Sequence, residues 1–258
     1  MDMPAHVQTT GAVWWSEMCG GSHLYPPACA TPPYPAFTAD AADGLTAAYP
    51  FLVYASEICT PVGTTEAEAV SRAKLRLRMG EQTAIEHALW GGDPAASVVG
   101  VFETLQAAGK VQTVTAGTGG PVEAVGKLEQ QAATVNYNGP LFIHARPRMA
   151  AYLAYRGQIR DTAKLTDPHT SFYGSRFVFG AGYSGELPDG TDPTATAEAM
   201  YVTGRIFLWR ESEPFVMSPS DSLNRTNNQR TIIVGRAYAI GVECLTAATL
   251  VTLAGIPA

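Results

Sequence analysis

Residues 64–92, TTEAEAVSRAKLRLRMGEQTAIEHALWGG, constrain the fold more than any other stretch, because they read as one unbroken helix. Thr65 followed by Glu68 forms a capping box, and Glu66 and Glu68 place negative charge at the positive end of the helix dipole. Gly91 and Gly92 supply the stop. Val70, Ala73, Leu77, Ala84 and Ala88 recur at helical spacing, and Leu75, Met79, Ile85 and Leu89 are expected to widen that apolar stripe. From Glu66 to Trp90 such a helix is about 37 Å long. That is long for a compact enzyme and suits a structural spine on which other elements are hung.

The stretch before the helix has a different character. Residues 1–62 contain eight prolines and two short β-favouring runs, AVWW at Ala12–Trp15 and PFLVYASEIC at Pro50–Cys59, the second with Phe51, Val53 and Ala55 alternating. The segment has little core of its own yet carries Trp14, Trp15, Tyr25, Tyr34, Phe37 and Tyr49, aromatics that need something to pack against. It is therefore expected to be an extended arm ordered mainly by other subunits. Its charge is one-sided. Up to Ser71 there is no Lys or Arg, while Asp2, Glu17, Asp40, Asp43, Glu57, Glu66 and Glu68 are acidic; Arg72, Lys74, Arg76 and Arg78 then come within seven residues. Either the basic residues form a solvated helix face, or they pair with the acidic arm of a neighbouring chain. On the second reading Arg72, Lys74, Arg76 and Arg78 meet Glu17, Asp40, Asp43 and Glu57, with Trp14, Trp15, Tyr34 and Phe37 as apolar contacts.

The 258-residue length allows one large domain or two connected ones, and 25 Gly with 18 Pro announce long loops. A net charge of −6 argues against general nucleic-acid binding, which needs clustered cations on one face. No apolar run is long enough to span a bilayer and no signal-peptide pattern opens the chain, so a soluble protein made in a cytoplasm is expected. Beyond the spine the pattern is α/β. A short helix is expected over Val98–Ala108, a strand at KVQTVTAG, a helix over Pro121–Val135, a buried strand at GPLFIHA, and a helix at RPRMAAYLAYRG with Pro147 in its first turn. A strand at RFVFGAG comes next, then an acidic Pro/Gly loop and two β-rich segments, EAMYVTGRIFLWRES and QRTIIVGRAYAIGVECLTAATLVTL.

The search for chemistry finds little that converges. Gly180-x-Gly182-x-x-Gly185 has the outline of a dinucleotide-binding turn, but that fingerprint needs a helix to begin at once, and Glu186-Leu187-Pro188-Asp189-Gly190 cannot propagate one. GYSGE misses the nucleophile elbow because Glu186 stands where glycine is required, and AGTGGP lacks the Lys-Ser/Thr of a P-loop. His6, His23, His87, His144 and His169 stand in five separate contexts. Asp189 and Asp192 lack the alternating oxygen ligands of a calcium loop. Cys19 and Cys29 bracket GGSHLYPPA, leaving a disulfide, a metal shared with His23 or free thiols open; Cys59 and Cys244 complete the cysteines, with no zinc spacing. Arg156 and Arg160, near Arg146 and Arg148, form either a subunit or phosphate face or an ordinary solvated one. No catalytic, cofactor-binding or metal residue is assigned.

With these stretches laid out, RAKLRLRMGEQTAIEHALWGG, GPLFIHARPRMAAYLAYRG leading to RFVFGAGYSG, and EAMYVTGRIFLWRESE with LNRTNNQRTIIVGRAYAIGVECLTAATLV resemble the major capsid proteins of tailed bacteriophages, the Hong Kong 97 fold, in particular head proteins of phages of high-GC bacteria. The resemblance implies an α+β subunit: residues 1–62 as N-terminal arm and extended loop, 63–110 as a peripheral domain with the spine helix, 111–195 as an axial domain, and 196–258 as the return to the peripheral domain. It implies no enzyme and no cofactor, but a shell protein forming pentamers and hexamers around double-stranded DNA. Portal, scaffolding and decoration proteins would be partners, and the virion, assembled in a host cytoplasm, its place. An encapsulin-type compartment shell is the nearest alternative, a nucleotide-binding α/β enzyme a remote one. Two departures matter. The chain starts without a long helical scaffolding segment, so a scaffold would be separate or already cleaved. And with no lysine before Arg72 the extended loop cannot make the isopeptide cross-link of the family's namesake, so its shell would be held non-covalently or by disulfides.

Overall fold

The computed structural model describes residues 12–14, 46–48, 50–59, 63–91, 104–105, 111–114, 120–135, 137, 139–159, 168–187, 190, 192–194, 196–217, 223–224, 229–243 and 245–253. Twelve strands and three helices among them run in the order β1 (Ala12–Trp14), β2 (Thr46–Ala48), β3 (Pro50–Cys59), α1 (Glu66–Gly91), β4 (Gln112–Thr113), α2 (Gly120–Thr134), β5 (Phe142–Ala145), α3 (Pro147–Tyr155), β6 (Arg176–Phe179), β7 (Ala197–Thr203), β8 (Ile206–Arg210), β9 (Phe215–Met217), β10 (Leu223–Asn224), β11 (Gln229–Val242) and β12 (Thr246–Thr252).

The expected spine is α1. Glu68 Oε2 accepts from the Thr65 backbone N–H at 2.8 Å and from its hydroxyl at 2.9 Å, while the Glu68 N–H reaches back to Thr65 Oγ1 at 3.3 Å. These bonds, the backbone one first, hold the Glu68 carboxyl below its usual range. The helix lies across one face of an antiparallel sheet in which β11 is the central strand. β3 runs along one side of it from Cys59 opposite Arg230 to Pro50 opposite Ala239, and β8, β9 and β10 pair with other parts of it. Small residues make the approach close: Ala69, Ala73 and Leu77 of α1 pack on Val53, Ile232, Val234 and Tyr238. The polar edge of this contact is closed by Glu81, which accepts from Arg236 Nη1 at 2.9 Å and from the Tyr238 hydroxyl. Burial and that carboxylate push the Tyr238 phenol up to about 12.

A second sheet, in the order β4-β12-β7-β5-β6, carries the rest. β7 is antiparallel to β5 and β12, whereas β6 and β4 join in parallel. Its apolar face is covered by α2, through Ala124, Val125, Leu128 and Ala132, and by α3, through Met149 and Leu153. The ends of α3 obey local rules. Pro147 opens it, and Gly157, at φ +64°, closes it: the Gly157 N–H bonds Ala154 O and the Gln158 N–H bonds Leu153 O.

Three expectations are corrected. Residues 50–59 are not part of an arm that waits for another subunit, since β3 is zipped along β11 of its own chain and Val53 is in the core. Leu75 and Met79 do not widen the buried stripe of α1; both are exposed on its far side, and burial runs instead through Ala69, Ala73, Leu77, Leu89 and Trp90. Among the described residues of KVQTVTAG, 111–114, only Gln112–Thr113 is a strand. In the second sheet β7 and β12 complete what β5 and β6 begin, while β8 to β11 belong with α1. Most of Val98–Ala108 lies outside the described residues.

Candidate functional site

The glycine turn after β6 sits where the two sheets and α1 meet. Tyr183–Leu187 contains no helix, so among the described residues no helix N-terminus follows the turn to meet a pyrophosphate. The glycines instead allow contact with α1. A Cβ on Gly182 would overlap Thr83 O and come within 2.9 Å of Glu86 Cβ and 3.0 Å of the His87 nitrogen. The Gly182 N–H donates to Glu86 Oε2 at 2.9 Å, so the carboxylate fills a position that a phosphate would need. Gly185 has φ +83°, a conformation that disfavours side chains, and lies against Arg146 Cδ.

The next segment of chain is gripped from both sides. Trp90, fully buried at the end of α1, donates its indole N–H to Glu186 O at 3.2 Å, and the Tyr201 hydroxyl on β7 donates to the same carbonyl at 2.8 Å. The Trp90 ring lies 4.8 Å from that of Tyr183 and 4.7 Å, edge to face, from that of Tyr201. Trp90 thereby ties the spine helix to the second sheet.

His144, in the middle of β5, is buried without a charge partner, and desolvation lowers its pKa to about 3. Thr203 donates its hydroxyl to Gly204 O at 3.0 Å, which leaves Thr203 Oγ1 to accept from His144 Nε2 at 2.9 Å. His144 Nδ1 then accepts from the Tyr183 hydroxyl at 3.0 Å. Both ring nitrogens are used internally, so this histidine braces β5, β7 and the glycine turn. Tyr183 is raised well above the ordinary phenol range by burial and then by Glu86.

Beside it, Glu198 of β7 is fully buried, with Arg146 Nη1 at 3.2 Å and Arg148 Nε in contact with the same oxygen. Arg148 also donates to Thr194 O at 2.8 Å. Arg146 and Arg148, which lie near the Arg156 and Arg160 face in sequence, are therefore paired with a buried carboxylate of their own chain. A third polar knot ties Tyr137 to Glu243 Oε2 at 3.3 Å and to the Arg205 N–H at 3.1 Å, with burial raising the phenol to about 12.

The residues expected to meet a neighbouring chain are only partly brought together. Arg76 pairs within its own chain: its guanidinium reaches Glu57 Oε2 at 2.5 Å and donates to Ser56 O at 3.0 Å, linking α1 to β3. Glu57 and Arg76 are thus paired within one chain, because β3 folds back beside α1. Arg72, Lys74 and Arg78 are exposed on α1, and Lys74 and Arg78 have no ion-pair partner among the described residues. Trp14 lies in β1, whose Ala12–Trp14 pairs with β2. Trp15, Glu17, Tyr34, Phe37, Asp40 and Asp43 lie outside the described residues, as do Cys19, Cys29 and Cys244. Cys59 is a free thiol that donates to Thr64 O. Among the described residues no group of three or more His, Cys, Asp or Glu is arranged to hold a metal ion, and no helix is long and apolar enough to cross a membrane.

Sequence reading missed Trp90 as the junction and Glu198 as a buried ion. The doubled Gly91–Gly92 after Trp90, and a lone acid in the apolar strand AEAMYVT, were the available signals.

The sequence matches no protein-family model and no curated protein. Solved structures do resemble it. One from Mycobacterium phage Adephagia superposes with a TM-score of 0.54 at 15% identity, covering 100% of this chain and 88% of that one. The holo-SrpI encapsulin complex from Synechococcus elongatus PCC 7942 gives 0.54 at 14% identity, over 84% and 79%. The capsid of a native GTA particle gives 0.53 at 12% identity, over 98% and 93%. The chain has the Hong Kong 97-type fold of such shells.

Proposed function

We propose that this chain, having the fold of shell subunits, is a structural shell protein that assembles with copies of itself into a closed icosahedral particle, and that the particle is the head of a tailed double-stranded DNA phage. The likeness to a phage structure over 100% of this chain and 88% of that one carries the reading. The interior chemistry supports it: the groups that catalysis would use, His144, Glu198, Glu86 and the glycine turn, are each occupied by internal partners. On this reading the protein is not an enzyme, takes no nucleotide, and encloses DNA without reading its sequence; a net charge of −6 fits a wall that does not hold DNA tightly.

An encapsulin-type compartment is the second reading, favoured by an equal TM-score over a smaller share of both chains. Electron microscopy of the purified full-length chain tests the shell, and analysis of the contents of particles from the native source separates the two. Closed particles containing double-stranded DNA are expected. Closed particles filled with one cargo protein would establish the compartment reading, and a protein that stays monomeric at every concentration would overturn both.

A further inference from the structure

We infer that the turn Ser171–Ser175 is a built contact knob for a second copy of this chain, received by the cleft beside the C-terminal end of α2. The inference rests on the self-assembly proposed above and names the surface through which it runs.

Turn tips are ordinarily polar or glycine. Here the two central positions are Phe172 and Tyr173, 74% and 72% exposed. The turn that carries them is fixed. The Ser171 N–H bonds Ser175 O at 2.8 Å, the Gly174 N–H bonds Ser171 O at 3.2 Å, and Gly174 takes φ +107°, which disfavours side chains. Beneath the tip, buried Ser171 and Ser175 both donate their hydroxyls to one oxygen of Glu129 on α2, the Ser175 bond measuring 2.7 Å. Ser171 Oγ in turn accepts the N–H groups of Gly174 and Ser175 at 3.2 and 3.1 Å. A carboxylate-anchored turn holding two aromatic rings in water loses little further entropy when those rings are buried. Rigid exposed aromatics are the usual anchors of protein contacts.

The occupant is identified by the surface beside the knob and by the knob's size. Next to Phe172 opens a cleft of about 280 Å³ walled on one side by Ala132, Ala133, Tyr137, Gly139 and Pro140 and on the other by Tyr173, Gly174 and Ser175 of the turn itself. The small side chains of Ala132, Ala133 and Gly139 leave room there for an aromatic ring. Val135, at the same end of α2, is exposed as well. The protruding and receiving elements thus share one patch, so two copies can make the contact reciprocally about a two-fold, each offering a knob and a socket. Two aromatic side chains bury about 150–250 Å² each, well short of the roughly 800 Å² per partner of a stable two-body complex. The contact is too small to hold an isolated dimer and suits a closed assembly in which it is one of several contacts that each copy makes.

The test uses the full-length chain. A photoactivatable benzoylphenylalanine replaces Phe172, and heavy-isotope and light-isotope chains are mixed before assembly. Cross-links from position 172 of one isotope to residues 131–141 of the other are expected; cross-links confined to one isotope, directed elsewhere, or captured by a different protein would overturn the inference. In parallel, F172S/Y173S should leave the circular dichroism and melting temperature of the dilute subunit unchanged. It should raise the concentration required for assembly at least about tenfold. Assembly of that variant at the wild-type concentration would refute the knob while leaving the shell reading intact. A wild-type chain that never assembles would refute the shell reading itself.

Discussion

Replacing Gly182 with alanine adds one methyl group at the point where the glycine turn touches α1, and the structure fixes the sign of the result. The new carbon would overlap Thr83 O and lie 2.9 Å from Glu86 Cβ and 3.0 Å from the His87 nitrogen. Two of these are backbone atoms of a helix and cannot rotate away. The turn must lift, which costs about 1–3 kcal/mol by overpacking. Lifting also stretches the Gly182 N–H bond to Glu86, and a hydrogen bond to a charged group is worth about 1.5–3 kcal/mol. Against this, alanine lowers unfolded-state entropy by about 0.4–1 kcal/mol. A net destabilisation of about 3 kcal/mol is expected. Gly80 is the internal control, since it lies within α1 and no atom falls within 4 Å of its added Cβ. Gly80→Ala should stabilise by about 1 kcal/mol through helix propensity alone. Urea unfolding of the dilute, unassembled subunit reads both values as midpoint shifts at constant slope, free of the mass action of assembly. If Gly182→Ala unfolds within about 0.5 kcal/mol of wild type, the close approach of turn and helix is not what glycine serves.

Three further outcomes are expected. His144 has its folded pKa lowered from 6.5 to about 3; the unfolded chain therefore binds the extra proton first, and the stability tied to neutral His144 is complete above pH 6.5 and falls as pH drops toward 3. Between pH 6.5 and 5 the loss is about 2 kcal/mol, and His144→Gln should flatten that part of the pH profile; a variant profile parallel to wild type would refute it. Trp90→Ala should cost about 3–5 kcal/mol by emptying the junction and freeing Glu186 O from one donor, measured as a fall in melting temperature; a loss under about 1 kcal/mol would remove Trp90 as the tie. Arg76→Glu should destabilise the unassembled subunit by about 1 kcal/mol with partial recovery in the double variant with Glu57→Arg, whereas a partnership between copies would alter assembly and leave the subunit's melting unchanged.

The parts of the fold that were legible in the sequence are those where local chemistry and burial agree. The capping box at Thr65 and Glu68, Pro147 at the start of α3 and Gly157 at its end each act within one turn of chain, so a reader of neighbouring residues can find them. That Glu186 and Leu187, directly after Gly185, start no helix was legible for the same reason. Leu75 and Met79 were misplaced because helical spacing marks apolar residues without saying which ridge meets the sheet; the small side chains of Ala69 and Ala73 let that face approach closely, and the bulkier ridge stayed outside. The pairing of Glu57 with Arg76 was illegible because it depends on β3 reaching β11, a partner distant in sequence. Glu198 and Glu129 belong to the same class, since each is explained by side chains that only the fold brings near.

The position of β11 in the chain has a consequence for synthesis. Cys59 and Arg230 are opposite one another, and the second sheet likewise waits for β12 to lie beside β7. Such long-range closures are entropically slow, and a ribosome adding about 5–20 residues per second releases β3 and α1 many seconds before their partner strand emerges. Through that interval the inner faces of both sheets lack their closing strands and are open to wrong pairing. The arrangement also acts as a completeness check. A chain cut short before β11 would lack the central strand of one sheet and an inner strand of the other, so it could present neither α1 nor the Ser171–Ser175 turn on a finished support, and truncated products would be left out of any assembly that intact copies build.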